Sequence, residues 1–154
     1  MRIRAIGGGL AAVFLAGCSS DSAVPSAPSG SGGIAEIRGT WAQANGDTRT
    51  WVLDQIGIQA GGSASLSQAD HPGVGAVSGT GGVLGAVTLG AFRFSETYES
   101  VNISSRPSPN YCYVDTDGQL AISGSTMRGS VTESLGCAGV RVSQITRDLV
   151  MQRK

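Results

Sequence analysis

The chain has 154 residues, with eleven Lys or Arg against eleven Asp or Glu, one His, three Cys and 24 Gly. Formal neutrality with only 14% charged residues argues against a nucleic-acid partner, which needs clustered positive charge. Few Lys and Glu beside abundant Gly, Ser and Thr disfavour long helices and suit short strands joined by turns.

The N-terminus reads differently from the rest. Arg2 and Arg4 make a short positive start, and Ala5 to Ala16 carries no charge. That run is about a dozen residues, short of the roughly 20 that a spanning helix needs. A basic start, a short apolar core and a small-residue end form the layout of a cleaved secretory signal over residues 1–17. Leu15-Ala16-Gly17-Cys18 resembles the lipobox of bacterial lipoprotein precursors. The resemblance implies a diacylglycerol thioether on Cys18, cleavage after Gly17 and acylation of the new terminal amine. Two or three acyl chains anchor stably where one does not. Ser19, in place of an inner-membrane-retaining Asp, implies the outer membrane in a diderm organism. Loss of Arg2 and Arg4 leaves 11 − 2 = 9 basic against eleven acidic residues, a mildly acidic mature chain that argues against a polybasic lipid-surface role.

Residues 19–33 are Ser, Pro, Gly and Ala with one Asp and one Val. They lack an apolar period, so the lipidated Cys18 and a disordered tether are expected over 18–33 and a single folded domain over 34–154. In that domain Ile37–Gln43 reads as a first strand. Asn45-Gly46 reads as a type I′ turn and Thr48–Ile58 as the returning strand. Gly61-Gly62 is expected to break the chain before a short strand at Ser63–Ser67. Asp70-His71-Pro72-Gly73 reads as a loop. Gly75–Gly79 and Val83–Leu89 read as two strands around Gly81-Gly82. Phe92, Phe94 and Tyr98 alternate with Arg93, Ser95 and Thr97, the pattern of a half-buried strand with its even positions inward. Asn102–Asn110 is expected on the surface. Asp115-Thr116-Asp117-Gly118 reads as a turn between Tyr111–Val114 and Gln119–Gly124. Thr126–Ser134 is a further strand. Val140–Arg153 is the last, splitting near Gln144, with Ile145, Arg147, Leu149 and Met151 on one face. The fold class that follows is all-β: an antiparallel meander of about eight strands, closed as a barrel in preference to a sandwich.

With Cys18 committed to the anchor, Cys112 and Cys137 are an even pair in an exported chain, and a disulfide is the default. A catalytic Cys paired with His71 is the alternative, and no local nucleophile signature supports it. His71 in its Pro/Gly loop reads as exposed. Asp115 to Gly118 echoes a calcium loop, but the sixth and twelfth positions, Leu120 and Thr126, do not fit one. No metal or cofactor is implied.

Gly39-Thr40-Trp41 near the start of a small meander resembles the first-strand Gly-x-Trp of calycins, the lipocalins, fatty-acid-binding proteins and avidins. In that superfamily the Trp closes one barrel end and a late-strand Arg or Lys packs across it. The resemblance assigns that structural pair to Trp41 and Arg147, with Arg141 as substitute. Three functions follow as expectations. The first is a non-enzymatic envelope lipoprotein holding a small apolar or amphipathic ligand in its barrel. The second is a structural or partner-binding lipoprotein with a solid barrel. The third is a protease inhibitor or enzyme, for which no reactive loop or motif speaks.

Overall fold

A computed structural model describes residues 33–105 and 111–154. The expected signal segment, Cys18 and most of the expected tether lie outside the described residues. Among the described residues nine strands form: β1 (Gly39–Gln43), β2 (Thr48–Ile56), β3 (Gln59–His71), β4 (Gly75–Thr88), β5 (Ala91–Tyr98), β6 (Asn102–Ile103), β7 (Cys112–Ser123), β8 (Thr126–Cys137) and β9 (Val140–Arg153). Each pairs antiparallel with its neighbours in the order β3-β2-β1-β9-β8-β7-β5-β4-β6, and a further β3–β4 pairing joins the ends. The result is a closed barrel of eight strands, with the two-residue β6 laid on the edge of β4 at Val77 and Ser78. Closure leaves no barrel strand with an unpaired edge.

Alternation sets the faces. Along β2, Arg49, Trp51, Leu53 and Gln55 point inward, and Thr50, Val52 and Asp54 point outward. Along β5, Phe92, Phe94, Glu96 and Tyr98 are buried while Arg93, Ser95 and Thr97 are exposed. The interior is mostly apolar and the outer wall mostly Ser, Thr, Gly and charged, the inverse of a barrel built to sit in lipid. Trp51 meets Phe94 edge-on at 4.8 Å and Phe92 at 6.2 Å, and the two phenyl rings stack at 5.5 Å. These aromatics share the core with Leu53, Leu120, Met127, Leu149 and Met151.

The turns Gly57-Ile58, Leu89-Gly90 and Gly124-Ser125 share one end, called here the lower end. There residues 35–38 cross beside β2. Gln55 Oε1 accepts from Ile37 N at 2.7 Å, and Gln55 Nε2 donates to Ala35 O and Gly57 O, both at 3.0 Å. Ile37 is thereby buried, and its carbonyl accepts from Trp41 Nε1 at 2.8 Å. The upper end carries the 44–47 turn, the 72–74 turn, residues 99–105 with β6, and the Ala138-Gly139 turn. A disulfide joins Cys112 to Cys137, which face each other across β7 and β8.

Several expected breaks are continuous strand. β3 runs through Gly61-Gly62 and β4 through Gly79 to Gly82. The reason is close backbone approach: a Cβ on Gly62 would lie 1.9 Å from Val52 O, and one on Gly81 the same distance from Thr97 O. Glycine there admits the neighbouring strand instead of ending its own. β7 likewise passes through Asp115–Gly118, so the expected hairpin turn is absent, and β9 does not split at Gln144. β8 extends past Ser134 to Cys137. The Asn45-Gly46 hairpin forms, but only Gly46 has positive φ. Asn45 spends its side chain on β9, donating to Asp148 O at 3.1 Å and accepting from Val150 N at 2.9 Å. Val101 and Ile103 are buried, so the start of the expected surface loop packs into the upper end.

Candidate functional site

The barrel places charged side chains on its inward face. Arg49 of β2, Glu96 of β5 and Glu133 of β8 are each completely buried. Alternation carries them there: Arg49 is two residues from Trp51, Glu96 lies between Phe94 and Tyr98, and Glu133 lies between Val131 and Leu135. An isolated buried ion is expensive, so the fold must pair each one.

Glu133 is the hub. Its Oε2 accepts from Arg49 Nη2 at 2.6 Å and from Arg147 Nη2 at 2.9 Å. Its Oε1 accepts from Gln68 Nε2 at 2.6 Å and stands 3.4 Å from His71 Nε2. Arg49 turns its Nε toward Glu96 Oε2 at 3.1 Å, and its Nη2 also reaches Thr116 Oγ1 at 3.4 Å. Glu96 Oε1 accepts from Trp51 Nε1 at 2.5 Å and from the Tyr98 hydroxyl. Arg147 continues the line outward, donating from Nη1 to Asp47 Oδ2 at 2.5 Å. A connected polar path thus runs from the partly exposed Asp47 at the upper rim to Glu96 and Trp51 deep inside.

The two glutamates titrate in opposite senses. Burial pushes Glu96 above the usual carboxylate range, and the positive Arg49 and the hydroxyl and indole donors only partly oppose it. Burial also acts to raise Glu133, but Arg49, the Gln68 amide and Arg147 together outweigh it and hold this carboxyl below its usual range. Burial likewise raises Tyr98, and the neighbouring Glu96 adds to it. Arg49 loses by burial but is held more firmly protonated by Glu96, Tyr98 and Glu133. Two arginines then face one firmly ionised buried carboxylate, the rim Asp47, and a Glu96 that burial drives toward neutrality. The charges within the cluster come close to cancelling without a ligand.

The cluster corrects two readings of the sequence. His71 is not a solvent-exposed loop residue. It is the last residue of β3, 1% exposed, facing Glu133 and 3.4 Å from Ser143 Oγ. Gln68 follows Ala64 and Leu66 inward by alternation, and the register shift between Gln68 and His71 brings His71 to the same face. Arg147 does not pack across Trp41. Arg153 does, with its guanidinium 4.9 Å from the indole centroid, because Trp41 pairs directly with Arg153 in the β1–β9 register. Arg147 lies six residues up the strand, about 20 Å away at the rise of a β-strand. The substitute, Arg141, is exposed near the upper end and bonds Gln144 Oε1 at 3.2 Å. Arg49, Gln68, Glu96 and Glu133 did not figure among the expected site residues. Their signal was a polar residue on an otherwise apolar alternating face.

On the outer wall, an open depression of about 560 Å³ is lined by Thr80, Gly82, Leu84, Ser95 and Thr97 among others. A second of about 360 Å³, lined by Thr50, Val52, Ser63 and Ser65, adjoins it and shares Thr80 and Gly81. Together they form a shallow trough across β2 to β5, with the exposed Val52 and Leu84 as its apolar points. A third depression, about 470 Å³, lies on the outer wall at Arg93, Asp117, Gln119 and Ser130. Among the described residues, no group of three or more His, Cys, Asp or Glu side chains is arranged to hold a metal ion. No protein-family model, no curated protein and no solved structure matches this chain.

Proposed function

We propose that the protein is a non-enzymatic lipoprotein of the cell envelope, held by lipid on Cys18, whose filled barrel presents its outer wall to a protein partner. One observation carries the choice of a filled barrel over a ligand-holding one. The inward polar groups are spent on one another: Glu133 takes Arg49, Arg147 and Gln68, and Glu96 takes Trp51 and Tyr98. A ligand entering there would have to displace charge-assisted bonds, each worth about 1.5–3 kcal/mol. The same engagement speaks against catalysis, since neither glutamate reaches solvent. The trough across β2 to β5 is instead open, with Val52 and Leu84 set among small polar residues.

The ligand-carrying reading keeps one supporting observation. Arg153 over Trp41 at the lower end is the arrangement that the calycin resemblance implies, and calycin barrels commonly hold small molecules. One experiment separates the readings. A photo-crosslinking residue at Leu84 or Val52, in intact cells, is expected to give a discrete protein adduct that the same residue at Thr146 on β9 does not. Solvent extraction of the purified protein is expected to release no stoichiometric small molecule. A stoichiometric extract would overturn the filled-barrel reading, and identical adduct patterns at all three positions would overturn the trough as the partner face. The anchor is tested apart: Cys18→Ser should move the protein from the membrane to the soluble fraction.

A further inference from the structure

Three features converge on the lower end of the barrel. The first is chain entry: the chain leads into the barrel at this end, where Gln55 links Ala35 to Gly57. The second is exposed apolar surface. Ile56 is 86% exposed, Leu89 75%, Ile58 51% and Ile34 42%, and all four belong to this rim. Val87 N donates to Ile58 O at 2.7 Å, so the 57–58 turn sits directly beside the strand that leads to Leu89. The third is charge. The exposed Arg38, Arg93, Arg128 and Lys154 all lie within a few residues of a lower strand end, against Glu36 and Asp54. Among the described residues the upper end is the reverse: Asp47, Asp70, Glu99 and Asp115 lie there against Arg141 and the Arg147 that pairs with Asp47. Tyr111 and Val140 are exposed at that end too, so apolar exposure alone does not distinguish the two ends. Charge and chain entry do.

We infer that the lower rim rests on the anionic phospholipid surface to which the chain is anchored, with Ile56, Ile58 and Leu89 entering the headgroup region and the basic side chains facing lipid phosphate. This rests on the reading of Cys18 as lipidated. Only fifteen residues, 19–33, separate Cys18 from the rim, at most about 50 Å even fully extended. The anchor therefore enters the barrel at this end, so the lower rim is the part of the domain nearest the bilayer when the tether is short of full extension. Apolar side chains at a headgroup boundary combined with attraction to anionic lipid give interfacial binding. Screening confines the electrostatic part to within about 8–10 Å of the surface. The barrel then stands with its acidic upper end and disulfide facing away from the membrane and its trough standing clear at the side.

The test uses the mature protein purified from membranes and reconstituted in phosphatidylglycerol–phosphatidylcholine vesicles with brominated acyl chains. Leu89→Trp and Val140→Trp place a fluorophore at either end, and the buried Trp41 and Trp51 give both variants the same background. Leu89→Trp emission is expected to be quenched roughly twofold more than Val140→Trp emission, as for a side chain some ångströms into the interface. Equal quenching, with the acyl mass present on the N-terminal peptide, would overturn the rim contact and leave the anchor standing. An unmodified Cys18 in that mass spectrum would remove the anchored reading and the rim contact with it.

Discussion

Glu133→Gln is the most informative single change, because it keeps shape and removes only the hub charge. Three hydrogen bonds converge on this carboxylate, at 2.6, 2.9 and 2.6 Å from Arg49, Arg147 and Gln68. Arg147 still has Asp47, but Arg49, completely buried, retains Glu96 as its one charged partner beside the long contact to the Thr116 hydroxyl. Charge-assisted bonds contribute about 1.5–3 kcal/mol each. Part of that loss is returned, because the variant no longer desolvates a carboxylate. Breaking a buried pair from one side costs about 3–5 kcal/mol, and Gln retains one acceptor oxygen, so the lower figure of about 3 kcal/mol is expected. For a domain of about 120 residues, with an unfolding entropy near 2.1 cal/mol/K per residue, that lowers Tm by about 12 °C. Differential scanning calorimetry and urea unfolding at pH 7 measure it, with the urea slope unchanged. A loss under about 1 kcal/mol would refute the assignment of Glu133 as the charge on which Arg49 depends.

The pH dependence of that deficit carries an independent sign. Glu133 is held below its usual range in the folded state. Its ionised form therefore adds stability above the unfolded pKa, and that stability is lost as pH falls through the folded value. The gap between wild type and Glu133→Gln should narrow in acid. Glu96 is raised by burial. Its neutral form adds stability below the unfolded pKa, lost as pH rises through the folded value, so the gap to Glu96→Gln should narrow as pH rises. Gaps that move in the same direction would show that the two carboxyls are not pulled apart as the cluster geometry requires.

Reduction of Cys112–Cys137, or the double Cys→Ser variant, should cost about 3 kcal/mol by chain entropy for a loop of this length, read as a lower urea midpoint. Gly62→Ala, whose Cβ would lie 1.9 Å from Val52 O, should lose about 3 kcal/mol or more through backbone displacement. Gly82→Ala, whose nearest contact beyond its chain neighbours is 3.6 Å away, should stay within about 0.5 kcal/mol; equal losses would refute the close-approach account. A double-mutant cycle should couple Trp41 to Arg153 by about 0.5–1 kcal/mol and leave Trp41 and Arg147 additive.

Much of the fold is readable from local pattern. Trp51, Leu53, Phe92, Phe94 and Tyr98 announce inward faces by alternation, and the even Cys pair announces the bridge. The errors cluster at glycine. Gly61-Gly62, Gly81-Gly82 and Asp117-Gly118 look like punctuation because turns and close strand approach ask for the same missing Cβ, and only the neighbouring strand decides between them. The site was half readable. Period two puts Arg147 on the inward face, where it is found, yet two cations six residues apart on β9 compete for Trp41, and the β1–β9 register selects Arg153. Composition hides the rest: a balanced charge count gives no hint that, among the described residues, exposed basic side chains outnumber acidic ones at the lower end and acidic ones outnumber basic at the upper.

Register also explains why this interior contains ions at all. Strands rich in Gly, Ser and Ala specify their pairing weakly, since a slip moves small side chains at little cost. β3 and β4 are of this kind. The charges are not: Arg49, Gln68, Glu96, Glu133 and Arg147 come from five different strands, and a one-residue slip in any of these would carry its member to the outer wall and leave the others buried without a partner. On this reasoning the network should penalise slipped registers that small side chains alone would tolerate. Replacing it with apolar side chains separates that role from stability. Arg49→Met with Glu133→Leu removes the central pair and should recover much of the loss that Glu133→Leu causes alone, because well-packed apolar groups can match a buried ion pair. If the ions set register, the double variant shows several sets of amide resonances despite its recovered melting temperature. A single set at that stability would mean that the pairing of Gly-rich strands is fixed by the aromatic core and the closed barrel, with the ions contributing only their mutual neutralisation.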